Sequence, residues 1–378
     1  MSPAPVPRSN PAVRSTRTVA AWLLTCCALV FAMVVVGGVT RLTHSGLSIT
    51  EWQPIVGAIP PLNQAQWQDA FGKYRLTPEY RLVNHGMSLL EFQRIFWWEY
   101  AHRLLGRLIG VAFLVPLAYF AWRRALPRGM GYPLLGTFVL GGLQGVLGWY
   151  MVASGLVDDP RVSQFRLTAH LGLAFAIFAA LLWAAMSMLD PRGNDAVTDA
   201  QRRVQRFANL VVGVVFCMVL TGGMVAGLRA GLSYNTFPLM NGALVPPEIL
   251  MLDPWWKNFF WNLATVQFDH RAIAWTLAIL VPILWWRVRT TRDLSPRAEV
   301  GANLLLTALV AQIALGISTL LLVVPVPLAA LHQAGALLVF AAALHLAHAL
   351  RTRPDDLPNP PREPIIWRPG LERTESHG

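Results

Sequence analysis

The sequence predicts an all-α polytopic membrane protein, with eight transmembrane helices arranged as two four-helix bundles. Three observations support this fold class. Only 13% of the 378 residues are charged, 54% are hydrophobic, and uncharged stretches long enough to cross a membrane recur along the chain. A soluble domain with so few charges could not cover its own surface. A cytosolic enzyme, a disordered chain and a disulfide scaffold are therefore excluded.

Uncharged stretches predict the helices in chain order, because a helix needs about 20 apolar residues to cross the hydrocarbon core. The last stretch is divided into two helices by Pro325-Val326-Pro327. Two stretches reach span length only when the charged segments Glu99 to Arg107 and Asp269 to Arg271 are included. The first stretch is too long for a signal peptide and lacks a cleavage site. The stretches are 18–40, 108–122, 129–157, 167–189, 207–228, 272–286 and 300–350.

The net charge of +11 is a signal of membrane orientation. With the N-terminus inside, the inner segments hold 19 of the 31 Lys and Arg residues, and the outer loops hold 9. Arg103, Arg107 and Arg271 lie at outer helix starts. This asymmetry obeys the positive-inside rule with both termini in the cytoplasm, so no nucleic-acid partner is needed. The short, proline-containing N-terminus favours a bacterial inner membrane over a mitochondrial transit sequence.

The predicted organisation has two halves between cytoplasmic ends. Gly-rich spans allow close helix contacts, so a homo-oligomer is compatible with the sequence. All three cysteines lie in apolar spans, so we expect no disulfide in a loop. The segments are an N-terminal stretch 1–19, a first half 20–190 with a long outer loop 41–98, a second half 191–350, and a disordered tail 351–378 rich in proline and charge.

The two halves repeat the same pattern of residues in the same order. Ordered matches across four helices of each half indicate an internal duplication. Each half has an even number of spans, so the repeats are predicted to be parallel, with a pseudo-twofold axis along the membrane normal. The matching pairs are Gly37-Gly38 and Gly222-Gly223, Ser45-Gly46-Leu47-Ser48 and Ala230-Gly231-Leu232-Ser233, Pro60-Pro61 and Pro246-Pro247, His102-Arg103 and His270-Arg271, Gln144 and Gln312, and His170 and His332.

Four histidines, His102, His170, His270 and His332, occupy repeat-equivalent positions near the starts of even-numbered spans. This places them near the outer face. A single histidine in a span is more often a packing residue, but ionisable residues inside membranes are costly and usually functional. Two imidazoles facing each other suit the two axial positions of a haem iron, whereas zinc needs four converging ligands. The sequence therefore predicts one haem site in each half.

The remaining charged and histidine residues have competing interpretations. Arg103 and Arg271 could pair with haem propionates or anchor the helices at the interface. We expect packing or interfacial roles for His345 and His348, and solvated or locally bonded side chains for the other histidines, His44, His85 and His377.

The two halves differ at the residue three positions before the first histidine of each pair. Glu99 precedes His102, whereas Gln267 precedes His270. Residues three apart share a helix face, so Glu99 lies beside only one of the two sites. This suggests chemistry at the first site and electron storage at the second. The alternative is an interfacial carboxylate paired with Arg103.

Several motifs resemble those of the haem A synthase family, in its proteobacterial and mitochondrial form. The resemblance covers nearly all of 20–350. It is carried by Gly37-Gly38-Val39-Thr40-Arg41-Leu42-Thr43, Ser45-Gly46-Leu47-Ser48, Glu51-Trp52-Gln53-Pro54, Asn84-His85-Gly86-Met87, Glu91-Phe92 and Phe96-Trp97-Trp98-Glu99-Tyr100-Ala101-His102-Arg103-Leu104-Leu105-Gly106-Arg107.

The resemblance implies an enzyme that oxidises the C8 methyl of haem O to a formyl group, by successive hydroxylations and loss of water. The product, haem A, serves terminal oxidase assembly. The resemblance implies substrate haem ligands at His102 and His170, haem b ligands at His270 and His332, and an essential glutamate at Glu99. Arg103, Arg107 and Arg271 are candidate cofactor-binding cations.

The implied partners are haem O synthase, oxidase assembly factors, the lipid bilayer and an unidentified electron acceptor. Some bacterial members of the family carry a cysteine pair in the first outer loop. This sequence has none there, so we expect no thiol role in catalysis.

Two other functions remain open from the sequence. A dihaem b-type cytochrome exchanging electrons with quinone would explain four histidines but gives Glu99 no purpose. A transporter with parallel repeats would need a polar cavity near the midplane. Beyond the histidines, the spans contain little that is polar except Gln144 and Gln312.

Overall fold

A computed structural model describes residues 11–53, 56–157, 159–190 and 198–351, with side chains from residue 16 onward. Within these ranges the regular structure is helical, apart from one isolated antiparallel bridge between Met240 and Ala243. The expected tail 351–378 lies outside the described residues except for Arg351. The helices are α1 (Pro11–Leu42), α2 (Gln64–Tyr74), α3 (Pro78–Leu82), α4 (Leu89–Trp122), α5 (Gly131–Ala153), α6 (Gln164–Leu189), α7 (Asp199–Leu228), α8 (Asn258–Trp261), α9 (Leu263–Thr290), α10 (Pro296–Leu321) and α11 (Val326–Ala349).

Eight of the described helices are long and apolar enough to cross a membrane, which confirms the predicted fold class. These are α1, α4, α5, α6, α7, α9, α10 and α11. The predicted interruption at Pro325 separates α10 from α11. The three cysteines lie in α1 and α7, and all are free thiols.

The second span begins at Leu89, ten residues before the start that we expected at Glu99. The cause is a capping box. The Ser88 hydroxyl accepts from the Glu91 amide at 3.4 Å, and the Glu91 carboxylate accepts from the Ser88 amide at 2.8 Å. These two bonds satisfy amides that would otherwise be unpaired at a helix start. His102 therefore lies about 20 Å along α4, at 1.5 Å per residue, and the connection from α1 ends at Ser88.

The eight long helices form two rings of four. In the first ring α1 packs against α4 and α6, and α5 packs between α4 and α6. In the second ring α7 packs against α9 and α11, and α10 packs between α9 and α11. The rings meet where α6 contacts α7, α1 contacts α11, and α6 contacts α11. Exchanging α1 with α7 and α6 with α11 leaves this set of contacts unchanged.

Glycines allow the two rings to approach closely. A Cβ atom on Gly227 of α7 would lie 2.5 Å from Cβ and 2.6 Å from Cα of Gln164 on α6. One turn earlier, a Cβ on Gly223 would lie 3.1 Å from Thr168 Cα. Across the other contact, Gln333 of α11 donates a 2.8 Å hydrogen bond to the backbone oxygen of Val34 in α1. These contacts join the two rings along one continuous apolar core.

An aromatic cluster holds the long connection against the first ring. Tyr74 of α2, Tyr80 of α3, and Phe92 and Phe96 of α4 are buried together. Tyr74 and Phe92 have ring centroids 5.1 Å apart, and Tyr80 packs edge-on against Tyr74. Such pairs contribute about 0.5–1.5 kcal/mol beyond their buried area. The cluster therefore fixes α2 and α3 on the outer part of α4.

The close contact between α6 and α7 predicts that one added methyl group at Gly227 destabilises the protein. We expect Gly227→Ala to lower the melting temperature of the purified protein, because overpacking against a backbone costs about 1–3 kcal/mol. Gly213→Ala in the same helix is the matched control, since a Cβ there has no atom within 4 Å. Thermal unfolding in detergent measures both. Equal melting temperatures for the two variants would contradict the close packing.

Candidate functional site

The structure brings the four repeat-equivalent histidines together as two pairs, one inside each ring. His102 of α4 and His170 of α6 lie within electrostatic reach of each other, and so do His270 of α9 and His332 of α11. All four side chains are partly buried. The members of each predicted pair therefore lie near each other, and their role as ligands stays a prediction.

Each of these histidines lies against a glycine from another helix of its own ring. A side chain at any of the four glycines would press on the imidazole, so the glycines make room for the rings. Two helices of each ring supply histidines, and the other two supply glycines. The distance from an added Cβ to the nearest imidazole atom would be 3.3 Å for Gly37 and His102, 2.9 Å for Gly148 and His170, 3.2 Å for Gly222 and His270, and 2.8 Å for Gly316 and His332.

Polar side chains orient the imidazoles of the second ring. Thr221 Oγ1 lies 3.0 Å from His270 Nδ1, and Gln312 Nε2 lies 3.1 Å from His332 Nδ1. Gln312 also donates to the backbone oxygen of His332 at 2.8 Å. Thr221 Oγ1 donates to the Met218 backbone oxygen, so it can accept from His270 Nδ1–H, which leaves His270 Nε2 unprotonated and available for another ligand. The Gln312 amide nitrogen is a donor, so His332 Nδ1 accepts from it and the neutral His332 ring carries its proton on Nε2. A partner on one ring nitrogen commonly fixes which nitrogen binds a metal.

The first ring has a similar but not identical arrangement. Gln144 donates to the backbone oxygen of His170 at 2.9 Å, and its Nε2 lies 3.4 Å from His170 Nε2. His170 Nδ1 is buried and has no hydrogen-bond partner among the described residues. The Oε1 atoms of Gln144 and Gln312 are also buried without a partner there. Such unpaired buried atoms are rare in proteins and mark both ring interiors as sites for a further group.

Glu99 is buried beside the first histidine pair, with 2% of its surface exposed. Its Oε2 accepts from the Ser48 hydroxyl and the Ile49 amide, each at 2.8 Å. Its Oε1 accepts from Arg103 at 3.0 Å (Nε) and 2.7 Å (Nη2). Four donor atoms therefore converge on the two oxygens of this carboxyl group, two of them from one guanidinium. The expected i,i+4 pair with Arg103 is present, with the Glu99 side chain buried and the Arg103 side chain partly buried.

Arg103 also fastens the connection after α1. Its Nη1 donates to the Glu51 oxygen at 3.0 Å, and its Nη2 donates to the Ile49 oxygen at 2.8 Å. Arg107 donates to the Gln53 oxygen at 2.9 Å. These contacts are to backbone carbonyls and Glu99, and the predicted contacts with propionates stay a prediction.

In the second ring Arg271 makes contacts like those of Arg103, but its side-chain partner is an amide and not a carboxylate. Arg271 donates to the backbone oxygens of Tyr234 and Thr236 at 2.9 Å, and to Gln267 Oε1 at 3.1 Å. Gln267 is 3% exposed, and its Nε2 donates to the Ala230 oxygen at 2.9 Å. A neutral amide therefore occupies the place of Glu99. The two sites differ by one buried negative charge.

His44 contacts the second half of the chain. Its Nδ1 lies 3.2 Å from Arg229 Nη2. Burial and the charges of Arg229 and Arg41 lower the pKa of His44, so the neutral imidazole can accept this bond.

The other histidines lie apart from the two pairs. His348 is buried, with Nε2 3.2 Å from the Ser187 hydroxyl and its ring edge-on to Trp183. His345 lies beside Gly301, and His85 beside the Tyr80 ring. His377 is outside the described residues.

Sequence reasoning did not assign a role to three residues near the sites. Ser48 ends a repeated motif and Thr221 precedes one, so their positions offered a signal. The sequence around Glu79 of α3 gave no such signal, because a polar loop does not reveal which of its carboxyl groups is buried. Burial raises the pKa of Glu79 to about 7, with a further contribution from the charge of Glu99, and Arg229 opposes the shift.

Residues 20–344, a range that includes both rings and all four paired histidines, match the family COX15-CtaA, described as a cytochrome oxidase assembly protein. The chain belongs to the COX15-CtaA family. Among its relatives, a protein of Nitrosospira multiformis is 61% identical over 335 residues, 89% of this chain and 94% of that protein. A protein of Nitrosomonas eutropha is 54% identical, covering 88% and 93%, and one of Parvibaculum lavamentivorans is 49% identical, covering 91% and 98%. All three relatives are named haem A synthase, which confirms the resemblance seen in the motifs.

The charge difference between the rings predicts that loss of Arg103 destabilises the fold more than loss of Arg271. Arg103→Leu would leave Glu99 buried without its cation, which costs about 3–5 kcal/mol. Arg271→Leu, the matched control, would leave neutral Gln267 with one lost partner, which costs about 1–3 kcal/mol. Thermal unfolding of both purified variants measures the difference. Equal losses of stability would contradict the assignment of a buried charge to the first ring alone.

Proposed function

We propose that the protein is a haem A synthase, an oxidoreductase that converts the C8 methyl of haem O to a formyl group. The haem A formed would supply terminal oxidase assembly. One observation carries the proposal: two matched histidine pairs differ by a buried carboxylate, which stands beside only one of them. Membership of a family whose relatives are named haem A synthase supports the same reaction.

The residues of the second ring fit a resident haem b. His270 and His332 would hold the haem b, because they are the paired imidazoles of this ring, and His270 has a partner on Nδ1 that leaves its Nε2 available. Thr221 and Gln312 would hold the imidazoles in this orientation. The haem b supplies one-electron transfer when bound. Gln267 occupies the place of Glu99, and without that carboxylate the site suits storage of electrons rather than reaction.

The first ring is the proposed substrate site, with His102 and His170 holding haem O. Glu99 provides a fixed negative charge within one helical turn of His102. In a site of low dielectric such a charge stabilises positive charge that develops during oxidation of the methyl group. Arg103, Ser48 and the Ile49 amide keep the carboxylate in place. The role of Glu99 is therefore electrostatic.

We propose that the rings arose by duplication and are related by a pseudo-twofold axis along the membrane normal. The exchange symmetry of the helix contacts supports this relation. So does the match between Arg103 and Arg271, which both bind the connection after the first helix of their ring. The distribution of basic residues supports an inner membrane protein with both termini in the cytoplasm and the haem sites towards the periplasm.

The dihaem cytochrome is the less favoured function, since it gives Glu99 no purpose, and the relatives named above are synthases. The proposed partners are haem O synthase, which supplies the substrate, and oxidase assembly factors, which receive the product. An electron acceptor must also take up the electrons removed from the methyl group.

The reaction is tested by expressing the chain with a supply of haem O and identifying the extracted haems by mass. We expect haem O, haem A and haem b from the wild-type protein. We expect Glu99→Ala to retain haem O and haem b but to form no haem A, because the charge beside His102 is lost. Retained haem b shows that the variant is folded. Normal haem A output from this variant would rule out the proposed role of Glu99.

The haem b ligands are tested by spectroscopy of the purified protein. We expect His270→Ala and His332→Ala each to remove the b-type absorption spectrum, because one axial ligand is lost. His348→Ala is the control, since this buried histidine lies outside both pairs. A spectrum unchanged by either ligand substitution would contradict the assignment.

A further inference from the structure

A second carboxyl group is buried near Glu99, in the connection between α1 and α4. Glu79 of α3 is 3% exposed, and its Oε2 has no hydrogen-bond partner among the described residues. Arg81, Leu82 and Val83, which follow it, are exposed. Glu79 therefore lies just beneath the protein surface. A buried carboxyl without a partner is costly in its ionised form.

Three elements supply the titratable and charged groups that surround Glu79. Glu99 on α4 and Arg229 at the end of α7 both act on it through their charges. Tyr74 of α2 is fully buried, and its hydroxyl accepts from Asn84 Nδ2 at 2.7 Å. That hydroxyl keeps its own proton for another acceptor. Arg229 is held by His44, and no cation of the described chain forms an ion pair with Glu79.

The two buried carboxyls have opposite environments. Glu99 accepts four hydrogen bonds, two of them from a guanidinium, and these stabilise its charge. Glu79 Oε2 has no donor among the described residues, and burial together with the charge of Glu99 raises the pKa of Glu79 to about 7. Glu99 is therefore fixed in an ion pair with Arg103, whereas Glu79 has no ion pair among the described residues and can take up and release a proton. General acids and bases act best when their pKa lies near the working pH.

We propose that Glu79 exchanges protons between the Glu99 site and the water on the side of the membrane that carries residues 43–88. This inference rests on the proposed function, because conversion of a methyl to a formyl group removes hydrogen from carbon and protons must leave. The proton comes from a C–H bond of the methyl group that breaks during its oxidation, and the electrons of that bond go to the proposed electron acceptor. The proton forms an O–H bond on the Glu79 carboxylate, and that bond breaks as the proton passes to water. The carboxylate is regenerated, and no electrons are exchanged at Glu79.

The first test needs no haem substrate. Infrared difference spectroscopy of the wild-type protein should show the C=O band of a protonated buried carboxyl, which fades as the pH rises through about 7. Glu79→Gln should remove this band. Glu91→Gln is the matched control, because Glu91 is exposed and glutamine can keep the capping box. A band that survives in Glu79→Gln, or no titration near neutral pH, would overturn the proposal.

The second test follows haem A formation against pH. The wild-type rate should rise with pH through about 7, as Glu79 becomes ionised and can accept a proton. Glu79→Gln should lower the rate at least about tenfold and abolish this rise, while haem b content and haem O binding stay unchanged. Glu79→Asp should keep the rise at a reduced rate, and Glu91→Gln should match the wild type.

Two outcomes of the second test would overturn the proposal. One is a wild-type rate and pH profile in Glu79→Gln. The other is loss of haem b in both Glu79→Gln and Glu79→Asp, which would make Glu79 a structural residue. Failure of the wild-type protein to form any haem A would refute the proposed function instead, and the infrared titration would still decide whether Glu79 exchanges protons.

Discussion

A carboxylate buried in a membrane helix needs a cation, and this requirement organises the first ring. Glu99 meets it with Arg103, one turn later on α4. Other N–H groups of the same guanidinium donate to the backbone oxygens of Ile49 and Glu51. The same ion pair therefore neutralises a charge and ties the connection after α1 to α4. Through that connection it also helps to position α2, α3 and the aromatic cluster around Tyr74.

The two rings share the same packing around their histidines but differ in charge. In both, imidazoles from two helices lie against glycines from the other two, and a glutamine holds the backbone of the second histidine. Packing alone would make the sites alike. The exchange of glutamate for glutamine at one position separates them, because a single buried charge in low dielectric outweighs small differences in contact area. The two sites therefore differ in charge on nearly the same scaffold.

Much of this architecture could be predicted from the sequence. Uncharged stretches give the eight spans because desolvation of charge dominates in membranes, and the repeated order of motifs pairs the histidines. The start of α4 could not be found in this way, since a capping box lets a polar, charged segment continue a membrane helix beyond its apolar part. The burial of Glu79 was equally hidden. It depends on aromatic contacts between α2, α3 and α4 that no local pattern in the loop encodes.

The contact between His44 and Arg229 has a consequence for the origin of the chain. Each residue directly precedes a repeated motif, and both have left-handed backbones, with φ of 54° and 55°. In a dimer of identical halves, residues this close to the twofold axis would meet their own copies. Two facing arginines would repel, whereas a neutral imidazole accepts from a guanidinium. Under the proposed duplication, joining the two halves in one chain permits an unequal pair at the axis, which a dimer of identical halves could not form.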